Sequence, residues 1–241
     1  MGARQLTLAD VGARQRVAAP SVRAGSTARV ASRHRRALPP IGVVGAPRED
    51  RSLRVKHVLD HLLAGALLVA ALPVVLPAAL AVRVSSPGPV LFRQRRVGRD
   101  GHEFVIYKLR TMRDDAERET GPVLAQAGDA RVTKVGRLLR MTRIDEIPQL
   151  LNVLNGTMSL VGPRPERPEL AGALACEIPR YRERWRVKPG VTGLAQVRGE
   201  YHTSPAAKLR HDLEYVGEHS LALDLQILRA TVRTLAARRG I

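Results

Sequence analysis

Apolar positions are densest at residues 62–82, LLAGALLVAALPVVLPAALAV, a run of 21 residues without a charge. A helix of that length crosses the ~30 Å hydrocarbon layer of a bilayer. A core helix of a water-soluble domain is the alternative, but such helices keep one polar face, and this run has none. We read it as membrane-embedded. Pro73 and Pro77 fall inside it, and each removes an amide donor; membrane helices tolerate this where neighbours take up the freed carbonyls. Arg51, Arg54, Lys56 and His57 precede the run, and Arg83, Arg93, Arg95, Arg96 and Arg99 follow it. Positive charge on both flanks draws both ends to the cytoplasmic side. A re-entrant helix–break–helix satisfies both observations; a single straight span is the simpler alternative.

Beyond this segment the pattern changes. Ser85-Ser86-Pro87-Gly88-Pro89 reads as a turn. Residues 90–96, VLFRQRR, and 103–111, EFVIYKLRT, read as strands, and Gly98-Arg99-Asp100-Gly101 between them signals a hairpin. Residues 114–130 are polar with Gly and Pro, as in a loop. Val135, Leu138 and Leu139 have helical spacing, as do Ile147, Leu150, Leu151 and Leu154, which run to a stop at Asn155-Gly156. The prolines of residues 160–168, LVGPRPERP, exclude a helix interior. Residues 169–185 and 205–216 read as helices. Leu221, Leu225, Leu228, Val232 and Leu235 form a 4-3-4-3 stripe on a last helix, expected to face the core. The fold class expected is α+β, mostly α, with one short β-hairpin and several helices.

Charge adds a division. Residues 1–55 hold 11 Arg against 3 acidic residues and no aromatic, which reads as a mostly disordered basic tail. It lacks the apolar run of a secretory signal; a transit peptide, or a true start downstream of Met1, are the other readings. The whole chain carries +18, which points to nucleic acid, phosphorylated substrates or an anionic membrane surface. Seven aromatics among 241 residues weaken a stacking platform for single-stranded nucleic acid. A lone cysteine, Cys176, excludes an intramolecular disulfide framework and Cys-rich zinc sites.

The chemistry concentrates in residues 134–166. Arg137, Arg140 and Arg143 recur every third residue, so neighbouring pairs can meet one anion. Asp145 and Glu146 follow directly. Thr142-x-x-Asp145 fits a capping box, which would make Asp145 a helix-start residue. A helix start is also an anion site, and Arg164, fixed between Pro163 and Pro165, adds charge. A carboxylate there could instead hold a divalent cation or attack phosphorus. Both readings stand on these residues alone.

Five pieces occur in one order: Lys56-His57-x-x-Asp60 with Pro73 beyond it, SPGPVLFRQRRVG (86–98), FVIYKLRTM (104–112), RIDEIPQLLNVLNGTMSLVGPRPE (143–166) and VKPGVTGLAQVRG (187–199). On these the chain resembles the bacterial sugar transferases, the monotopic polyprenyl-phosphate phosphoglycosyl transferases, in their small catalytic-core form, over about 185 of 241 residues. The resemblance implies transfer of a sugar 1-phosphate from a UDP-sugar to polyprenyl phosphate with release of UMP. This step would start an exopolysaccharide, capsule, O-antigen or glycoprotein glycan. It implies Asp145 as the nucleophile of a covalent phosphosugar intermediate and Glu146 as the Mg²⁺ ligand. Lys108, Arg140 and Arg164 would bind substrate phosphate. Lys56, Asp60 and Pro73 would position the membrane helix. An aromatic is common in the family where Leu194 stands, which puts nucleotide or sugar contact there in doubt.

The organisation that follows is a tail (1–55), a re-entrant membrane hairpin (56–84) and a catalytic domain (85–241) on the cytoplasmic face of the bacterial inner membrane. The bilayer is a partner, and self-association is left open. The competing function class is a membrane-anchored basic module without catalysis; basic residues beside Asp145-Glu146, rather than in the tail alone, favour the enzyme. The tail holds +8 of the +18, and nucleic acid is not needed to account for the rest.

Overall fold

The computed structural model describes residues 51–116, 129–199 and 204–237. Residues 1–50 of the expected tail, and most of the loop expected at 114–130, lie outside these.

The apolar run forms helix α1 (Arg51–Ser85), which begins ahead of the run and contains both Pro73 and Pro77. The break expected of a re-entrant helix–break–helix is not an interruption of the helix: one helix passes through both prolines. Pro73 cannot donate to Val69, nor Pro77 to Pro73, so two carbonyls lose their intrahelical donors while the helix continues. One face of α1 turns inward, where Lys56, Asp60, Ala64 and Val82 are buried. The opposite face is apolar and open; Leu62 and Val69 are each 67% exposed. The inward contacts come in two groups. Ala64 and Leu68 pack with Leu150, Val153 and Met158 in the main core. Ala78, Ala79 and Val82 pack with Leu109 and Leu139 in another cluster. No residue from Val69 to Pro77 is buried. Both ends of the helix therefore rest on one body, and its middle does not.

Strands β1 (Leu91–Val97) and β2 (Glu103–Leu109) form the expected hairpin, paired antiparallel from Leu91–Leu109 to Val97–Glu103. The reversal uses positive φ at Asp100 (55°) and Gly101 (79°), where Asp and Gly meet least resistance. Among the described residues no third strand pairs with the outer edge of β2. The amide side chain of Asn152 takes that place, accepting from Tyr107 N at 3.0 Å and donating to Val105 O at 2.7 Å.

Helix α2 (Lys134–Thr142) starts at Thr133, whose hydroxyl accepts from Gly136 N. A Cβ on Gly136 would lie 1.9 Å from Thr111 O, so only glycine lets α2 approach the end of β2 this closely. A 3-10 turn (Ile144–Gln149) and helix α3 (Leu150–Leu154) follow. Strand β3 (Ser159–Val161) pairs in parallel with β4 (Gly190–Thr192). Between them lie α4 (Pro168–Glu177) and a second 3-10 turn (Tyr181–Arg186). The helix expected over 169–185 is thus split, because Pro179 cannot donate to Ala175. The chain closes with α5 (Leu194–Arg198), α6 (Pro205–Glu218) and α7 (Leu221–Ala236).

Helix α7 corrects one expectation. Asp224 and Ile227 turn inward, and the leucine stripe faces mostly outward, with Val232 66% exposed. Of the five stripe residues, Leu228 packs on the main core. Periodicity marked an apolar face correctly but not its direction.

Candidate active site

The two carboxylates sit in the 3-10 turn at Ile144–Gln149, just after α2 ends. Arg143 joins the two elements with φ 58° and ψ 13°, a left-handed conformation uncommon for a side chain this large. The capping-box reading does not survive. Thr142 Oγ1 donates back to Leu138 O at 2.9 Å and so belongs to the end of α2. Asp145 caps nothing through Oδ1, which is buried without a hydrogen-bond partner.

The neighbours meet different surroundings. Glu146 Oε1 accepts from Lys108 Nζ at 2.7 Å and from Arg164 Nη2 at 2.6 Å. Its Oε2 faces Arg143 Nη1 at 3.6 Å. Burial alone would raise its pKa, but Arg164 and Lys108 outweigh burial and hold the carboxyl well below the usual range. Asp145 is 7% exposed. Burial, then the negative charge of Glu146, push its pKa up to about 6, against the pull of Lys108, Arg140 and Arg143. One carboxylate is thus locked into an ion-paired state. The other is buried, poorly compensated and ionised near neutral pH.

Each basic residue is held by its own support. Lys108 lies on β2 next to Tyr107, whose amide Asn152 anchors. Burial, then Arg164, lower the Lys108 pKa, with Glu146 opposing. Arg140 Nε donates to Thr111 Oγ1 at 2.9 Å, which aims it across the close approach that Gly136 permits. Arg137 is exposed, so the three-residue arginine repeat does not act as one face.

Arg164 has the most elaborate support. Pro163 and Pro165 cannot donate, yet four successive carbonyls of this loop accept from outside it. Pro163 O accepts from Gly190 N at 3.0 Å, and Glu166 O from Val97 N at 3.0 Å. Arg164 O accepts from Arg184 Nη2 at 2.8 Å, and Pro165 O from Arg96 Nη1 at 3.1 Å. Arg184 is itself buried and paired with Asp212 at 2.7 Å. The glycines of Lys188-Pro189-Gly190-Val191-Thr192-Gly193 explain that motif. A Cβ on Gly190 would lie 2.1 Å from Gly162 N, and one on Gly193 would lie 2.2 Å from Gly162 O. The motif is a backbone cradle for the arginine loop. Leu194 beside it is buried and packs in the main core.

Lys56 and Asp60 lie apart from the dyad's ion pairs, at the root of α1. Lys56 Nζ pairs with Asp224 Oδ2 at 2.6 Å and Asp60 Oδ2 at 3.4 Å. Tyr215 Oη sits 2.8 Å from Asp224 Oδ1 and 3.0 Å from Val161 O, and Ser159 Oγ donates to Asp60 Oδ2 at 2.6 Å. Pro73 is exposed on the open part of α1. Asn152, Arg184, Asp212, Tyr215 and Asp224 were not singled out by sequence. The available signal was weak: polar residues at inward positions of helices otherwise patterned as apolar.

Residues 51–238 match the model of the family described as bacterial sugar transferase. A UDP-glucose:undecaprenyl-phosphate glucose-1-phosphate transferase of Caulobacter vibrioides is 48% identical over 196 residues, 78% of this chain and 72% of that protein. A UDP-N-acetylgalactosamine-undecaprenyl-phosphate N-acetylgalactosaminephosphotransferase of Aeromonas hydrophila is 44% identical over 70% of this chain but only 40% of its own length. An exopolysaccharide production protein of Rhizobium leguminosarum is 43% identical over 69% of this chain and 87% of its own. With its hairpin, its paired carboxylates and its arginine loop all inside the matched span, this chain belongs to the bacterial sugar transferase family.

Proposed function

We propose that the protein is a membrane-docked phosphoglycosyl transferase, moving a sugar 1-phosphate from a UDP-sugar to polyprenyl phosphate and releasing UMP. The observation that carries this is the contrast within the dyad: Glu146 Oε1 accepts from both Lys108 and Arg164, while Asp145 Oδ1 is buried with no partner. The Asp145 carboxylate attacks the phosphorus that bears the sugar. The bond from that phosphorus to the oxygen bridging it to the α-phosphate breaks, and the bridging oxygen leaves with UMP. An oxygen of polyprenyl phosphate then attacks the same phosphorus, breaking the acyl-phosphate and restoring the carboxylate. Arg140, Lys108 and Arg164 offset the charge that builds on the phosphoryl oxygens.

The donor set also fits magnesium, which takes one or two carboxylates plus phosphate oxygens. Glu146 Oε2, which faces Arg143 at 3.6 Å, and Asp145 Oδ1 are oxygens to which neither Lys108 nor Arg164 donates. When bound there, the ion would supply Lewis-acid charge neutralisation at the diphosphate.

The membrane reading rests on α1. Its outer face is apolar over most of its length, and an exposed apolar surface of this extent marks an interaction site. Both of its ends rest on one body, which supports entry and exit on the same, cytoplasmic, side. In a Cys176→Ser background, single cysteines replacing Arg54 and Ser85 should both label from the cytoplasm. Labelling from opposite sides would sink the re-entrant reading.

The catalytic test is incubation with UDP-sugar alone, starting with UDP-glucose and UDP-N-acetylgalactosamine, the donors in the relatives' names. Up to one equivalent of UMP should appear, and the protein should gain the mass of a sugar phosphate. UMP released only when polyprenyl phosphate is present, with no adduct after rapid quenching, would favour direct displacement.

A further inference from the structure

The end of α1 that leaves the apolar run is fastened to β2 by a buried side chain. Arg110, the residue after β2, is 5% exposed. Its Nη1 donates to Pro87 O at 2.6 Å and its Nη2 to Ser86 O at 2.7 Å. Both carbonyls belong to the first two residues after α1. A guanidinium forked across two successive carbonyls fixes a direction as well as a distance. The Arg110 backbone continues the hairpin, its N donating to Val90 O at 2.8 Å. Asp114 Oδ1, 3.9 Å from Nη1, supplies an exposed counter-charge. Gly88 leaves room for the fork: its φ is 110°, and a Cβ there would run into Arg110 Nη1. The proposed reaction makes no use of this arginine.

Its place in the chain suggests a use. Residues 108–111 each reach a different part of the protein. Lys108 pairs with Glu146, Leu109 packs with Val82 of α1, Arg110 holds the loop after α1, and Thr111 accepts from Arg140. Lys108 and Arg110 are two residues apart, about 7 Å at full extension. Ser85 stands three residues past Val82, the end of the charge-free run, about 4.5 Å of helix rise. On the proposed function that run lies in hydrocarbon, and the polar layer outside it is about 5–8 Å deep. The clamp then sits at headgroup depth, and the dyad's lysine sits one short step from it.

We infer that Arg110 is a positioning residue for the acceptor step. It sets the height of the dyad against the bilayer, so that a lipid-borne phosphate meets the covalent intermediate without leaving the headgroup layer. This rests on the proposed function. A UDP-sugar is water-soluble and needs no such height, so the donor step depends on Lys108, Arg140 and Arg164 but not on the Arg110 fork.

The test separates the two half-reactions in the full chain held in lipid nanodiscs. With UDP-glucose or UDP-N-acetylgalactosamine alone, Arg110→Gln should form the sugar-phosphate adduct at the wild-type rate. Transfer from the adduct to undecaprenyl phosphate in the same disc should slow on the order of a hundredfold, the loss expected when reacting groups are misplaced. Arg110→Lys, which keeps the charge but not the fork, should recover part of that rate. Gly88→Ala, which displaces the guanidinium without removing it, should repeat the defect. Equal slowing of both steps, or of neither, overturns the inference. A second measurement needs no catalysis. In a Cys176→Ser background, spin labels on Ser85→Cys and Leu225→Cys should give one narrow distance with the clamp intact and a broadened one in Arg110→Gln and Gly88→Ala. An unchanged distribution overturns the clamp. A wild type that neither forms the adduct nor transfers sugar phosphate overturns the proposed reaction and the acceptor role with it, while the labels still decide the clamp.

Discussion

Two buried polar clusters use similar parts and differ in one respect. At the root of α1, Asp60 and Asp224 share Lys56 and take hydrogen bonds from Ser159 and Tyr215. At the dyad, Glu146 takes Lys108 and Arg164, but Asp145 Oδ1 is buried with nothing donating to it. The first network is closed and holds two helices together. The second is open at one oxygen. A buried polar atom without a partner is costly and calls for an explanation; on the proposed function its partner is the reacting phosphorus or a metal ion.

This contrast can be broken from either side. Asp145→Asn removes the open carboxylate with little change in shape. Turnover should fall on the order of a thousandfold or more, while melting temperature and membrane association stay close to wild type; a modest loss of rate would reject the nucleophile. Asp224→Ala opens the closed network and leaves Lys56 buried with only the longer Asp60 contact. Loss of one partner of a buried pair costs about 3–5 kcal/mol, so denaturant unfolding in detergent should show a large drop. A drop near that of a surface site would mean the root of α1 is looser than its distances imply.

Gly190→Ala tests the support rather than the charges. Its Cβ would meet Gly162 N at 2.1 Å, and overpacking of this kind costs about 1–3 kcal/mol. Because the shift falls on the loop that carries Arg164, turnover should suffer more than stability does. A smaller effect is expected from pH. The Asp145 carboxyl, held up to about 6 by burial and by Glu146, must be ionised for the proposed attack. The rate of UMP release should therefore fall as pH drops through about 6, and magnesium should move that midpoint lower. A profile flat down to pH 5 would contradict the assignment. The smallest change belongs to the outward stripe of α7: Leu225→Ser should alter stability by no more than about 0.5 kcal/mol, where a core leucine would cost several times that.

Much of the site was legible because it is local. Asp145 and Glu146 are adjacent, Arg164 is fixed by its flanking prolines, and the hairpin carrying Lys108 announces itself through a Gly-Arg-Asp-Gly turn between two short strands. What escaped was long-range. Lys56 meets Asp224 across 168 residues, and no spacing rule reaches that far. The stripe of α7 failed for a related reason: a pattern reports that a residue is apolar, not which surface it meets. Thr142 failed because a hydroxyl near a helix boundary can serve the helix behind it as readily as the one ahead.

The loop at 163–166 has a consequence for how the protein comes into service. Its four carbonyls are held by β1, by β4 and by the 3-10 turn at 181–186. No one of these can place Arg164 by itself. The guanidinium reaches Glu146 only when pieces of chain almost a hundred residues apart have arrived together. A partly assembled molecule would carry the two adjacent acids without the Arg164 charge, leaving Lys108 and Arg143 to offset Glu146. The full ion-pair set at Glu146 is thus a report that these distant pieces of the domain have closed, and on the proposed function a reactive acyl-phosphate would not form before the chain is finished.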